Sequence, residues 1–248
     1  MRTGRLLLGC EMVMMKNRKS LNISELFDLL FTAWGPQHWW PGETPFEVAV
    51  GAVLTQNTAW TNVEKAICAL KSHSVLDAAG LLALPQEELS ELLRPAGYYH
   101  VKAGYLRSLS EWIRDRAGGE FASLEQEETA TLRRDLLNVR GIGKETADSI
   151  LLYAVGKPVF VVDAYTRRIA ARLGLLPEKA SYDRTQSFFT AQLPVNVSVY
   201  NEMHALLVRL AKEHCRVRPR CNGCPLQAQC PSATGRQQSG VHKRRNNS

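Results

Sequence analysis

Leu21, Leu26, Leu29, Leu30 and Ala33 recur at helical rather than alternating spacing, so the first readable element is a helix over 21–34, with Ser24 and Glu25 near its start. The stretch Gly35-Pro36-Gln37-His38-Trp39-Trp40-Pro41-Gly42 then forbids regular structure, yet it holds two adjacent tryptophans. Residues 45–54 are apolar on most sides, the pattern of a buried central helix. Helical patterns follow over 62–73, 75–84, 86–93, 101–116, 124–137, 145–155, 164–173, 183–193 and 197–214, joined by short Gly, Pro or polar stretches. Alternating Val/Ile/Thr runs are missing, and the extended-looking 158–162 is too short to found a sheet. The pattern predicts an all-α protein.

The two ends read differently. Residues 1–20 predict a frayed segment whose Leu6-Leu7-Leu8 patch is too short for a signal-peptide core, which leads to the expectation of a cytoplasmic protein. After Pro231 the chain turns to Ser, Thr, Gly and Gln and ends on a basic run, so 232–248 predicts a disordered tail. Between them, a chain of 248 residues is long enough to bury a sizeable core without disulfides. Its 45% apolar and 22% charged composition excludes collagenous, coiled-coil and low-complexity classes. No apolar run approaches the ~20 residues of a membrane span.

Lys and Arg outnumber Asp and Glu by 31 to 24, which admits a polyanionic partner without compelling one. Arg216, Arg218 and Arg220 lie between Cys215 and Cys221, a cluster that composition alone reads equally well as a solvated face. Four of the six cysteines, Cys215, Cys221, Cys224 and Cys230, form a C-x5-C-x2-C-x5-C run, whereas Cys10 and Cys68 are isolated. Without a secretory signal such a run points to metal rather than to disulfides. One tight pair flanked by two wider gaps suits the corners of an iron–sulfur cubane better than the two tight pairs usual for zinc; a zinc site and unligated thiols are the alternatives.

The most specific local pattern is Leu137-Asn138-Val139-Arg140-Gly141-Ile142-Gly143-Lys144-Glu145-Thr146-Ala147, between one helix and the next. Two glycines two apart permit a tight turn with positive φ, and the following helix start offers N–H groups and a dipole to an anion, with Lys144 as a cation. An ordinary glycine-rich helix–helix turn is the alternative. A weaker copy, Pro95-Ala96-Gly97-Tyr98-Tyr99-His100-Val101-Lys102-Ala103, lies upstream, where Tyr98 and Tyr99 are expected to pack the turn. Asp163, twenty residues after Gly143, returns toward the hairpin at the start of the 164–173 helix. Taken alone, it reads first as an N-cap worth ~1 kcal/mol.

The hairpin, Val161-Val162-Asp163 at this distance and the cysteine run about fifty residues later together resemble the endonuclease III superfamily of helix-hairpin-helix DNA glycosylases, over residues 25–231. The resemblance implies two α-helical domains: a six-helix barrel over 37–157, and a domain of 21–36 plus 158–231 that holds a [4Fe-4S] cluster on Cys215, Cys221, Cys224 and Cys230. It implies a monomer acting on double-stranded DNA that carries a damaged base, off the membrane and at the nucleoid if the cell is bacterial. Asp163 would face the DNA cleft as the catalytic residue. Bifunctional members carry a lysine nucleophile two residues after the second hairpin glycine. This sequence has Glu145 there, and Lys144 points about 100° away around the helix, which argues for a monofunctional enzyme.

Within the superfamily, the hairpin, Leu54-Thr55-Gln56-Asn57-Thr58 and Trp39-Trp40-Pro41 are most similar to the 3-methyladenine DNA glycosylase III branch, whose best-known form lacks the cysteine run. That similarity implies a base pocket of Trp39, Trp40, Trp60 and Glu145. An N-alkylated purine is cationic and already a good leaving group, so an enzyme has chiefly to flip it and hold it between electron-rich rings. The plain alternative for the tryptophans is core packing. Gln56 is expected to fill the gap left by the flipped base, although Asn57-Thr58 could simply cap helices. Gly141, Gly143, Lys144 and Thr146, with Arg216, Arg218 and Arg220, are expected to meet the DNA backbone. Two other readings compete: a glycosylase for oxidised pyrimidines or mismatches with weak AP-lyase activity, and a catalytically silent DNA-binding module, which Asp163 disfavours.

Overall fold

The computed structural model describes residues 21–233; the N-terminal patch, Cys10 and the basic run lie outside the described residues. The order is α1 (Ile23–Trp34), α2 (Pro45–Leu54), α3 (Trp60–Ser72), α4 (Ala78–Ala83), α5 (Gln86–Leu92), a 3-10 turn (Arg94–Ala96), α6 (Tyr99–Ala117), a 3-10 stretch (Phe121–Gln126), α7 (Thr129–Asn138), α8 (Lys144–Ser149), α9 (Ala164–Arg172), α10 (Tyr182–Thr190) and α11 (Val197–Glu213). Among the described residues there are no strands, as the all-α reading requires, and no helix is long and apolar enough to cross a membrane.

Side-chain caps set several boundaries that periodicity misplaced. Asn22 caps α1 in a reciprocal box with Glu25, so the helix begins at Ile23 rather than at Leu21. The helix expected over 124–137 is two elements, because Glu128 accepts from the amides of Ala130 (2.9 Å) and Thr131 (2.6 Å) and starts α7 afresh. Ser232 donates to the Arg172 carbonyl at 2.8 Å and Ala233 is buried, so the fold runs past the expected start of the tail.

Two apolar clusters organise the chain. One gathers α2 to α7 and the start of α8; the other gathers α1, residues 160–162 and α9 to α11. In α2 every residue from Phe46 to Leu54 is buried. Each Val or Leu there contributes about 1.5–3 kcal/mol of burial. α8 continues into a π-helical turn, Ile150–Ala154, which sends Leu152 into the second cluster while Ile150, Leu151 and Ala154 stay in the first, and Tyr153 borders both. Fully buried Asp148 fixes this helix by accepting from Arg133 Nε (2.6 Å), Tyr182 Oη (2.7 Å) and Gln186 Nε2 (2.7 Å). Removing Arg133 would leave the buried carboxylate without its charge partner.

Candidate active site

A cleft of about 800 Å³ lies where the two clusters meet, with walls from the α2–α3 turn, the Gly141–Glu145 hairpin, the start of α9 and α11. Gly141 takes φ +85°, and a Cβ there would sit 2.2 Å from the Tyr105 ring, so conformation and contact both demand glycine. Gly143 differs from expectation: its φ is −89°, it is the N-cap of α8, and nothing crowds it. The first amides of α8 have no side-chain cap. Thr146 is buried against the hairpin.

Gln56 is turned inward, its amide donating to the Gly141 carbonyl (3.0 Å) and to Thr146 Oγ1 (2.9 Å). The outward tip of that turn is Asn57, exposed and at φ +53°. The buried Lys102 holds the turn from below, donating to Leu54 O (2.7 Å), Thr58 Oγ1 (2.6 Å) and Ala96 O (2.9 Å); burial pushes its ammonium down to about 8. The Ala96 bond ties the α2–α3 turn to the upstream hairpin copy. Contrary to expectation, Tyr98 is 73% exposed there rather than packed, because its positive φ turns it off the fold; Tyr99 is half-buried.

Three tryptophans, Trp39, Trp40 and Trp60, line one side of the cleft, with Tyr153 packed against Trp40. Trp40 meets Trp60 edge-on at 5.2 Å, Trp39 at 5.4 Å and Tyr153 at 5.2 Å between centroids. A methyl group on Gly51 would stand 3.3 Å from Trp40 Cζ2, so the small residue in α2 seats this ring. Trp60 is steered by Glu64, which accepts from its indole N–H at 2.7 Å. Lys212 Nζ lies 5.8 Å from the centre of the Trp39 ring.

Asp163 caps α9: Oδ1 accepts from Thr166 N (2.7 Å) and Thr166 Oγ1 (2.8 Å). The other oxygen faces His204 Nε2 at 3.7 Å, and His204 Nδ1 is 2.5 Å from Tyr153 Oη. Burial pushes the Asp163 carboxyl up, but His204 and the Thr166 bonds outweigh it and hold it below the usual range. Burial and the Asp163 charge keep the Tyr153 phenol protonated well above its ordinary value. Sequence reasoning missed His204, Tyr153, Arg167 and Lys212. The trace of His204 was a lone titratable residue inside the apolar face of α11, a pattern that ordinarily marks a satisfied core histidine.

Glu145 lines the cleft, and Lys144 does not: its Nζ is bound to Asp183 at 2.6 Å. Arg216, Arg218 and Arg220 are exposed in the loop beyond α11, with Arg216 Nε donating to Lys212 O at 2.5 Å. Cys215, Cys221, Cys224 and Cys230 line one cavity behind that loop, away from the cleft. Burial, together with the other three thiols, raises the Cys224 thiol. Arg172 donates to Cys215 Sγ at 3.3 Å, a cation suited to thiolate charge. Among the described residues no three His, Cys, Asp or Glu side chains, these four thiols included, are grouped as a metal-ion site.

A glycine hairpin beside a cleft lined by three tryptophans and a carboxylate is the arrangement expected of a helix-hairpin-helix protein that processes nucleic-acid bases. The chain belongs to the HhH-GPD superfamily of base excision DNA repair proteins, whose family model matches residues 50–194. It is a base excision repair DNA glycosylase, and its partner is DNA. A Methanocaldococcus jannaschii protein that bears the name of a DNA repair glycosylase is 44% identical over 219 residues, 88% of this chain and all of the relative. Endonuclease III of Bacillus subtilis is 28% identical across 81% of this chain and 87% of its own length. The fold is that of endonuclease III in a non-covalent DNA complex, with a TM-score of 0.76 at 24% identity over 87% of this chain and 97% of that one. The H. pylori 3-methyladenine DNA glycosylase MagIII bound to 1,N6-ethenoadenine matches with a TM-score of 0.69 at 32% identity, over 78% of this chain and 98% of that one.

Proposed function

We propose that this protein is a monofunctional glycosylase that hydrolyses the N-glycosidic bond of an alkylated purine, 3-methyladenine first, flipped out of double-stranded DNA. The observation that carries the reading is the wall of Trp39, Trp40 and Trp60 beside Asp163, with Glu145 rather than an amine reaching the cleft from the first turn of α8. Electron-rich rings stabilise a cationic purine, and Asp163 stabilises the oxocarbenium-like sugar as the base departs. The 32% identical MagIII structure, bound to a modified adenine, supports the same substrate class.

In this reading the hairpin and Arg216, Arg218 and Arg220 bear on phosphates, and Gln56 braces the hairpin while outward-facing Asn57 enters the gap left by the flipped base. The protein acts as a monomer, the two apolar clusters mark two domains, and DNA lies across the cleft between them. The four thiols line one cavity and an arginine stands beside Cys215, which supports a [4Fe-4S] cluster on them. Such a cluster would cross-link the loop that carries the three arginines. The test is excision from duplexes containing 3-methyladenine or thymine glycol. Preferential release of 3-methyladenine supports the reading; preferential release of thymine glycol, with strand cleavage, replaces it by the oxidised-pyrimidine alternative.

A further inference from the structure

We infer that Glu145 is the general base of the hydrolysis, taking the proton of the water that attacks the sugar C1′. The inference rests on the monofunctional reading above. Asp163 and Glu145 line the same cleft from two helix starts, but their hydrogen bonding differs. Asp163 spends Oδ1 on two Thr166 donors and turns Oδ2 toward His204. The Glu145 carboxylate has no hydrogen-bond or ion-pair partner among the described residues, whereas neighbouring Lys144 is held by Asp183.

The electrostatics separate the two carboxyls in the direction their roles require. Glu145 is exposed to the water of the cleft; the partial desolvation it meets there and the Asp163 charge raise it, His204 and Arg167 work against the rise, and Lys212 faces the same cleft from α11. Asp163 is held below the ordinary range. A carboxylate kept ionised stabilises a cationic sugar, and one raised toward neutrality accepts a proton. In the step, water oxygen bonds to C1′ and the glycosidic C–N bond breaks with its electron pair going to the base. The cationic alkylated purine leaves neutral, and the water proton passes to Glu145. The step needs no acid for the leaving group.

The structural alternative is a first-turn glutamate favoured by the helix dipole. Single-turnover excision of 3-methyladenine by the parent, Glu145→Gln, Glu145→Ala and Asp163→Asn separates the two. The expected loss in Glu145→Gln is about 10²–10⁴-fold, with melting temperature and DNA affinity kept. The acid limb of the parent pH profile is expected to vanish in that variant. Azide is expected to restore turnover in Glu145→Ala, leaving a 1-azido sugar, and to do nothing for Asp163→Asn. A folded Glu145→Gln that keeps pace with the parent overturns the inference and leaves the monofunctional reading standing. A parent that excises no alkylated base overturns that reading and the inference with it.

Discussion

His204 Nε2 stands 3.7 Å from Asp163 Oδ2, and the same ring meets Tyr153 Oη through Nδ1 at 2.5 Å. Tyr153 stays protonated, and a neutral imidazole that accepts its proton at Nδ1 carries its own on Nε2, facing the carboxylate. The opposite tautomer would aim a lone pair at an anion. At 3.7 Å the contact exceeds a direct hydrogen bond, and a small approach on substrate binding would close it. His204→Phe is expected to lose about 10–100-fold in single-turnover excision, the equivalent of one charge-assisted hydrogen bond of ~1.5–3 kcal/mol. His204→Gln, which keeps a donor, should recover part of it. Equal rates in the two variants would leave the ring with a packing role only.

Asp163→Asn is expected to nearly abolish base release while DNA affinity is kept or improved, because the amide removes a negative charge near phosphate but stabilises no cationic sugar. Stability carries its own signature. The Asp163 carboxyl is depressed in the fold, so its contribution is complete above the unfolded value near 3.8 and is lost as pH falls through the folded value. Melting temperatures of parent and variant should therefore converge below that pH. A gap unchanged from neutral to acid pH would contradict the assignment.

Borohydride is expected to trap no protein–DNA adduct in amounts matching turnover, since Glu145 cannot form an imine and Lys144 is engaged by Asp183. Lys212 is the amine that lines the cleft and makes the sharper control. Abundant adduct that disappears in Lys212→Ala, or in Lys144→Ala, would show a lysine doing the work from a new position.

Trp60→Ala is expected to cost about 1–3 kcal/mol of stacking with the flipped base, with Trp60→Phe restoring much of it. Trp40→Ala is the less informative variant, because Trp40 is seated against Gly51 and touches three other rings. A largely buried tryptophan replaced by alanine loses ~3–5 kcal/mol of folding energy, so melting must accompany the kinetics. A folded Trp60→Ala that still excises 3-methyladenine at the parent rate would remove the aromatic sandwich.

Purified protein is expected to be brown, with iron and sulfide in the ratio of a [4Fe-4S] cluster, and Cys224→Ser should bleach it. Colourless protein with stoichiometric zinc would assign the four thiols to a single ion instead.

Helix positions, the hairpin, the cysteine run and the carboxylate at a helix start were readable from residue order, because each depends on local periodicity or on ligands close in sequence. The aromatic wall was legible in Trp39, Trp40 and Trp60, but not its support by Tyr153, which meets Trp40 from the π turn that ends α8. The same limit applies to Gln56, whose inward turn depends on a carbonyl 85 residues away. His204 was illegible, since its meaning comes from Asp163 and Tyr153, brought beside it by packing of α11 against α9 and the end of α8. The amino-acid order determined which groups the protein owns and which short motifs they form. Tertiary structure alone decided which groups meet, because a buried contact between distant helices is selected by the shape and polarity of the whole packed interior, which no local window contains.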